Sequence, residues 1–93
     1  MSELIIKTKR KREVVDITDE VSLELKKLDA KNGLLNLFLT HTTAALTTAD
    51  LDPGGTDQDY LDAFEKLIPK INFRHPHNPE HMPDHILSSL IGT

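Results

Sequence analysis

The sequence predicts an α+β fold, in which a mixed or antiparallel sheet and about three helices form one compact domain over residues 1–93. Segments of alternating apolar residues predict strands, and segments with apolar residues every three or four positions predict helices. The two kinds of segment alternate irregularly, without the regular strand–helix period of a doubly wound parallel sheet. A chain of 93 residues has room for one such core.

Several short segments have the composition of strands. The clearest is 34–41, where apolar side chains on both faces predict a central strand that ends at His41. Segments 3–9 and 13–17 are expected to pair as an antiparallel hairpin. Weaker strands are predicted at 45–48 and around 71–73.

The first predicted helix follows the hairpin. Val21, Leu25 and Leu28 lie on one face at helical spacing. Either Asp16 or Thr18 is expected to cap its start, because both side chains accept hydrogen bonds from free N–H groups at a helix N-terminus.

The second and third helices carry apolar stripes and recognisable ends. Thr56 and Asp59 have the spacing of a capping box, and Pro69 is expected to stop the second helix. The third helix is expected to start near Pro83 and to end at Gly92. The expected apolar positions are Tyr60, Leu61, Phe64, Leu67 and Ile68 in the second helix, and Ile86, Leu87, Leu90 and Ile91 in the third.

Composition excludes several classes of protein. The chain contains no cysteine, so it has neither a disulfide framework nor thiolate chemistry. No apolar run approaches the roughly 18–20 residues that span a bilayer, and the N-terminus lacks the pattern of a signal peptide. These features predict a cytoplasmic protein without a membrane partner.

The net charge of −4 argues against general nucleic-acid binding, although basic residues cluster at Lys7–Arg12. Such a cluster would suit phosphate contacts or a localisation signal. The simpler interpretation is a hairpin with solvated charged tips, because no aromatic stacking residues interrupt the charges.

Residues 73–92 hold most of the chain's histidines. They are His75, His77, His81 and His85. Neutral imidazole is a common metal ligand and exchanges protons near pH 7. Pro83 argues against one helix that includes both His81 and His85, so the four rings are not expected to bind one ion. A mononuclear site from His41, one loop histidine and His85 is chemically reasonable, and a solvated loop is the alternative.

No established catalytic motif of other families is present. HExxH, GxGxxG, Walker and GxSxG patterns are all absent. Asp57 and Asp59 would suit a carboxylate site, but acids in the first turn of a helix more often only stabilise its dipole.

The run from His41 onward resembles the YjbQ-like family. The matching stretches are HTTAALTTADLDP, then an acidic helix ending at Pro69, then NFRH, and finally MPDHILSSLIGT. The resemblance covers essentially the whole chain from Leu4. The residues that match the family motif are His41, Thr42, Thr43, Ala44, Asp52, Pro53, Asp59, His75, His85 and Gly92.

What the resemblance implies is a homotrimer with a histidine-lined site for a small phosphorylated substrate or anion. It implies a divalent metal ion, with Zn²⁺ and Mg²⁺ as candidates, held by His41, His75 and His85. Those histidines and Asp59 would be catalytic, Asp59 as a residue that orients a histidine. Thr42 and Thr43 are assigned to cofactor binding. His77 and His81 lie outside the family motif and are expected to be loop residues.

The chain also departs from the family pattern. Ala49 and Asp50 stand where members usually carry Asn-Glu. Members continue past the Leu-Gly element with further strands that include Gly-x-Trp-Gln, so the C-terminal strands are expected to be missing here. Removing strands leaves unpaired edges and an uncovered apolar face.

The function that the resemblance implies is that of a secondary thiamine-phosphate synthase, a transferase that joins a thiazole phosphate to a pyrimidine diphosphate and releases pyrophosphate. The alternative is a truncated, non-catalytic chain or partner subunit that keeps an anion- or metal-binding site.

Overall fold

Three α-helices and one short 3-10 helix form the regular structure of residues 2–93. A computed structural model describes residues 2–93. The helices are α1 (Thr18–Lys27), α2 (Thr56–Leu67) and α3 (Met82–Ile91), and the 3-10 helix Pro79–His81 leads directly into α3. The chain forms two compact units, one up to Leu35 that contains α1 and one from Asn36 that contains α2 and α3.

Helix α1 begins at Thr18 because Asp16 satisfies its first donor. The Asp16 carboxylate accepts hydrogen bonds from the Thr18 backbone N–H at 2.9 Å and the Thr18 hydroxyl at 2.6 Å. These bonds hold the pKa of Asp16 below its usual range, since they favour the ionised carboxyl. Of the predicted stripe, Val21 and Leu25 are half-buried and Leu28 is exposed.

Helix α2 starts one residue earlier than a capping box at Thr56 requires. Gly55 precedes the helix with φ 106°, and its carbonyl oxygen accepts the Asp59 N–H at 3.1 Å. The predicted Thr56 cap is therefore wrong: Thr56 is already helical. Pro69 does end the helix, since Ile68 has the extended ψ of 120° that a following proline favours.

Helix α3 follows the prediction at both ends. Pro83 lies in its first turn, and Gly92 ends it at φ 104° with its N–H bonded to the Ser88 carbonyl oxygen. Its buried face differs from the prediction, because Leu90 is 64% exposed whereas Ser88 is buried. Ser88 tolerates burial because its hydroxyl has a hydrogen-bond acceptor.

The predicted sheet is wrong. Within residues 2–93 the structure has no strand, so the fold class is helical and the α+β assignment fails. Outside the helices, a backbone hydrogen bond does join two segments that are distant in sequence: the Leu46 N–H donates to the Gly92 carbonyl oxygen at 3.0 Å. A ladder needs a neighbouring strand, and the described segments 3–9, 13–17 and 34–41 do not supply one another with partners.

Segment 34–38 shows why the alternating pattern misled. Leu34 is 97% exposed and Phe38 is 74% exposed, although a central strand would bury both faces. An alternating apolar pattern indicates which side chains a segment would bury if it paired with a neighbouring strand. The described residues provide no such strand here. The boundary between the two units also falls within this segment of the chain, between Leu35 and Asn36.

Candidate functional site

Helix α3 is tied to residues 42–46 by three hydrogen bonds. The His85 ring contacts the Thr42 carbonyl oxygen at 2.8 Å, the Ser88 hydroxyl donates to the Ala44 carbonyl oxygen, and the Leu46 N–H donates to Gly92. The partners advance in the same direction along both segments, so residues 42–46 run parallel to α3. The carbonyl groups of Thr42 and Ala44 are thereby bonded to side chains of α3.

The bond to Thr42 fixes which nitrogen of His85 carries a proton. A carbonyl oxygen only accepts hydrogen bonds, so the His85 Nδ1 facing it must carry hydrogen. Neutral His85 therefore has an unprotonated Nε2. This arrangement is typical of catalytic and metal-binding histidines, in which a bond at one nitrogen orients the other.

The His75 ring stacks on His85. Their centroids are 5.1 Å apart and their planes differ by 29°. Both residues are half-buried, although ten positions separate them in the chain. The structure thus brings together two of the three histidines assigned to the site.

Asn78 organises the loop that carries His75. Its backbone N–H donates to His75 Nδ1 at 3.2 Å, and its carbonyl oxygen accepts the His81 N–H at 3.0 Å. Its side-chain Oδ1 accepts the Glu80 N–H at 3.2 Å and thereby caps the 3-10 helix. The side-chain Nδ2 then faces His81 Nε2 at 3.3 Å.

The other two loop histidines have different surroundings. His77 is exposed and meets His75 edge-on, with centroids 6.5 Å apart. His81 bonds to Asn78 and not to the stacked pair. His81 and His85 consequently bind separate partners despite their spacing of four residues.

Three of the remaining assigned residues, His41, Thr43 and Asp59, are not joined to this pair by any hydrogen bond, ion pair or ring contact between described residues. His41 and Asp59 are exposed, and the Asp59 N–H belongs to the first turn of α2. Thr42 takes part through its backbone oxygen, and Thr43 lies beside it in the same bend. Their predicted roles stay predictions.

The donor set around the pair does not match a mononuclear metal site in this arrangement. Among residues 2–93, no group of three or more histidine, cysteine, aspartate or glutamate side chains is placed to hold an ion. In addition, His75 Nδ1 already accepts the Asn78 N–H, so neutral His75 carries its proton on Nε2. Of the two Nε2 atoms in the stacked rings, that of neutral His85 therefore carries the lone pair that a ligand could use.

The basic cluster near the N-terminus forms a bend at residues 9–12. The Glu13 carboxylate accepts the Lys9 N–H at 2.8 Å and the Arg10 N–H at 3.3 Å. The pKa of Glu13 is lowered, chiefly by the hydrogen bond from the Lys9 backbone. The turn expected here is present, but the flanking strands are not.

Sequence reasoning missed two contributors to the site. The Thr42 carbonyl oxygen is a backbone group, and its role depends on α3 lying beside it. Asn78 did leave a signal, because Asn-Pro commonly starts a turn and asparagine side chains bond to backbone groups two residues on.

Comparisons with known proteins identify the family. A family model described as UPF0047 protein YjbQ-like matches residues 2–93. The chain belongs to the YjbQ-like UPF0047 family. No solved structure matches it significantly.

Several curated relatives of this family are similar to the chain. UPF0047 protein MJ1081 of Methanocaldococcus jannaschii is 32% identical over 87 residues, covering 94% of this chain and 62% of that protein. A UPF0047 protein of Archaeoglobus fulgidus is 31% identical over 91 residues, covering 97% of this chain and 69% of the Archaeoglobus protein. UPF0047 protein YjbQ of Escherichia coli O157:H7 is 35% identical over 80 residues, covering 83% of this chain and 58% of that protein. The chain thus spans less than two thirds of several relatives that it matches.

A search of residues 2–93 for membrane-spanning helices gave none that has the necessary length and apolar character.

Proposed function

We propose that this YjbQ-like chain is a transferase of the thiamine-phosphate synthase type, with the stacked His75–His85 pair as its phosphate-binding centre. The observation that carries the proposal is the anchoring of one ring to the Thr42 carbonyl oxygen and the stacking of the other ring upon it. Two rings held this close suit contact with one small oxyanion, and hydrogen bonds at Nδ1 orient each ring before a ligand arrives.

In the proposed reaction, the ring nitrogen of a thiazole phosphate forms a bond to the methylene carbon of a pyrimidine diphosphate. The bond from that carbon to the diphosphate oxygen breaks, and the electron pair leaves with pyrophosphate. His75 donates a hydrogen bond from Nε2 to an ionised oxygen of the diphosphate, and His85 accepts one at Nε2 from a protonated oxygen of the same group. The donor aimed at the leaving group favours the transition state, because charge accumulates there.

The metal ion expected at His41, His75 and His85 stays part of the wider proposal as a Zn²⁺ or Mg²⁺ ion that would neutralise diphosphate charge. His85 Nε2 suits a ligand role, whereas His75 would first have to give up the Asn78 bond or change its tautomer. No step of the proposed reaction is therefore assigned to the metal.

We also propose a cytoplasmic homotrimer that binds neither membrane nor nucleic acid. The lack of cysteine suits a reducing compartment. The exposed apolar side chains of segment 34–38 favour association, since large apolar surface is rarely left in water.

The decisive experiment measures pyrophosphate and thiamine-phosphate formation by the purified chain and by single alanine variants. His85→Ala and His75→Ala should each lose at least about 100-fold in rate, the usual effect of removing a group that stabilises charge in the transition state. His77→Ala is the matched control, because His77 is an exposed histidine of the same loop, and it should retain the wild-type rate. Equal rates in all variants would refute the assigned site. Measuring the metal content of His41→Ala and His85→Ala tests whether these histidines bind the ion. Unchanged metal binding in both variants would refute the assigned metal site.

A second candidate is a non-catalytic partner subunit that keeps an anion-binding site. It is favoured by one finding, the stacked His75–His85 pair, whose oriented rings suit an anion whether or not a reaction follows. Size-exclusion chromatography and thermal melting separate the candidates. A chain that melts cooperatively as an oligomer and forms product excludes the second candidate, whereas a chain that binds anions without forming product supports it.

A further inference from the structure

We propose that Asn78 and the Thr42 carbonyl oxygen hold His75 and His85 in opposite tautomers, so that the pair selects a protonated oxyanion of the hydrogen-phosphate class. The proposal concerns the same site as the proposed transferase and rests on it for its catalytic meaning.

The tautomer of His75 is set by the backbone of Asn78. An N–H that points at Nδ1 requires a lone pair there, so neutral His75 carries its proton on Nε2.

The tautomer of His85 is the reverse. Its Nδ1 must donate to the Thr42 carbonyl oxygen, so the neutral ring has its lone pair on Nε2. The stacked pair consequently offers one donor, His75 Nε2–H, and one acceptor, His85 Nε2.

The ligand that satisfies both atoms carries one acceptor oxygen and one hydroxyl. Hydrogen phosphate has both, since an ionised oxygen accepts from His75 while P–OH donates to His85. Sulfate has nearly the same shape but no proton at neutral pH. It would direct a lone pair at the lone pair of His85 Nε2, so neither atom would have a hydrogen-bond partner there.

Asn78 acts as a positioning residue in this arrangement. Its side chain caps the Glu80 N–H and bonds to His81, and these two bonds fix the turn from which its own N–H points at His75. Removing the side chain frees the turn and with it the tautomer of His75.

The first test is carried out on the unmodified chain. Nitrogen-15 NMR of labelled histidines should show protonated Nε2 in His75 and protonated Nδ1 in His85. Titration with inorganic phosphate and with sulfate at neutral to mildly alkaline pH should show phosphate binding about tenfold or more tighter. The same tautomer in both rings, equal affinity for the two anions, or binding of neither would each overturn the proposal.

The second test uses variants. Asn78→Ala should give a mixture of tautomers in His75 and lose most of the preference for phosphate. Asn78→Asp keeps an oxygen for the Glu80 N–H, and its second oxygen accepts a hydrogen bond from His81 once His81 Nε2 carries the proton, so this variant should retain both properties. The control Asn32→Ala, which changes an asparagine outside this turn, should retain them as well. An Asn78→Ala variant that behaves like the parent chain would contradict the positioning role. If Asn78→Ala does not fold, the measurements on the unmodified chain still decide the tautomers and the selectivity.

The outcome is separable from that of the proposed function. Product formation without discrimination between phosphate and sulfate would refute the tautomer proposal alone. Discrimination without product formation would refute the transferase alone.

Discussion

His85 bonds through Nδ1 to the backbone oxygen of Thr42, 43 positions earlier in the chain. The bond joins the two halves of the recognised motif, the His-Thr-Thr-Ala segment and the helix that ends in Leu-Ile-Gly. It links them through the Thr42 backbone and not through the threonine hydroxyl. The His41 side chain makes no hydrogen bond, ion pair or ring contact with the stacked pair within the described residues.

Ser88 makes the most protected of the contacts between α3 and residues 42–46. Its hydroxyl donates to the Ala44 carbonyl oxygen, and the residue is 6% exposed. Ser88→Ala should lower the free energy of unfolding by about 1 kcal/mol, because the carbonyl loses its donor. Urea unfolding followed by circular dichroism measures the change. The neighbouring Ser89→Ala is the control, since Ser89 is exposed and alanine favours helix. A Ser88 variant as stable as the Ser89 variant would contradict the prediction.

Gly92 has backbone angles of φ 104° and ψ −179°, a region that is essentially restricted to glycine. No atom lies within 4 Å of a Cβ built there, so the cost of a side chain is that of the backbone alone. Gly92→Ala should destabilise the chain by about 1–3 kcal/mol. Thermal unfolding measures it against Thr93→Ala, which should be neutral. If Gly92→Ala unfolds at the same temperature as the parent chain, the helix does not end in the conformation described.

Asp16 should make helix α1 sensitive to acid. Its pKa is lowered by hydrogen bonds from the Thr18 hydroxyl and N–H, against an ordinary value of 3.8. A lowered pKa in the folded state means that the contribution is fully present above pH 3.8 and is lost as the pH falls through the lower, folded value. Asp16→Asn should therefore be less stable than the parent at neutral pH, and the difference should shrink in acid. Unfolding curves at several pH values test this, and a difference independent of pH would argue against the charged cap.

Phe38 should contribute to self-association. It is 74% exposed in a segment patterned for burial. If the homotrimer forms through this segment, Phe38→Ser should weaken association by about 30-fold or more, because burial of such a side chain contributes about 2 kcal/mol. Sedimentation at several concentrations measures it. Leu67→Ser is the control, being a 62% exposed apolar residue at the end of α2. Equal weakening by both variants, or a monomeric parent chain, would exclude this interface.

The helices could be predicted from sequence because their signals are local. Pro69 restricts the residue before it and Gly92 adopts a conformation that other residues avoid, so both ends follow from single residues. The sheet could not be predicted in the same way. The pattern of 34–41 describes one segment, whereas a strand also needs a partner from elsewhere in the fold.

The site was predictable to a similar extent. Residue type and spacing selected His85 and one loop histidine, the resemblance to the YjbQ-like family selected His75 among the loop histidines, and the structure brings these two together. Their tautomers could not be foreseen, because each depends on a backbone group of another segment, the Thr42 oxygen for one and the Asn78 N–H for the other.

The parallel contacts between residues 42–46 and α3 have a kinetic consequence. They close a loop of more than forty residues that contains α2, and such closure costs conformational entropy before any contact compensates it. We therefore expect α2 to form early and α3 to dock late, after the transition state for folding. Ser88→Ala would then speed unfolding while leaving the folding rate almost unchanged, which stopped-flow measurements resolve. The histidine pair would accordingly be among the last parts of the molecule to assemble.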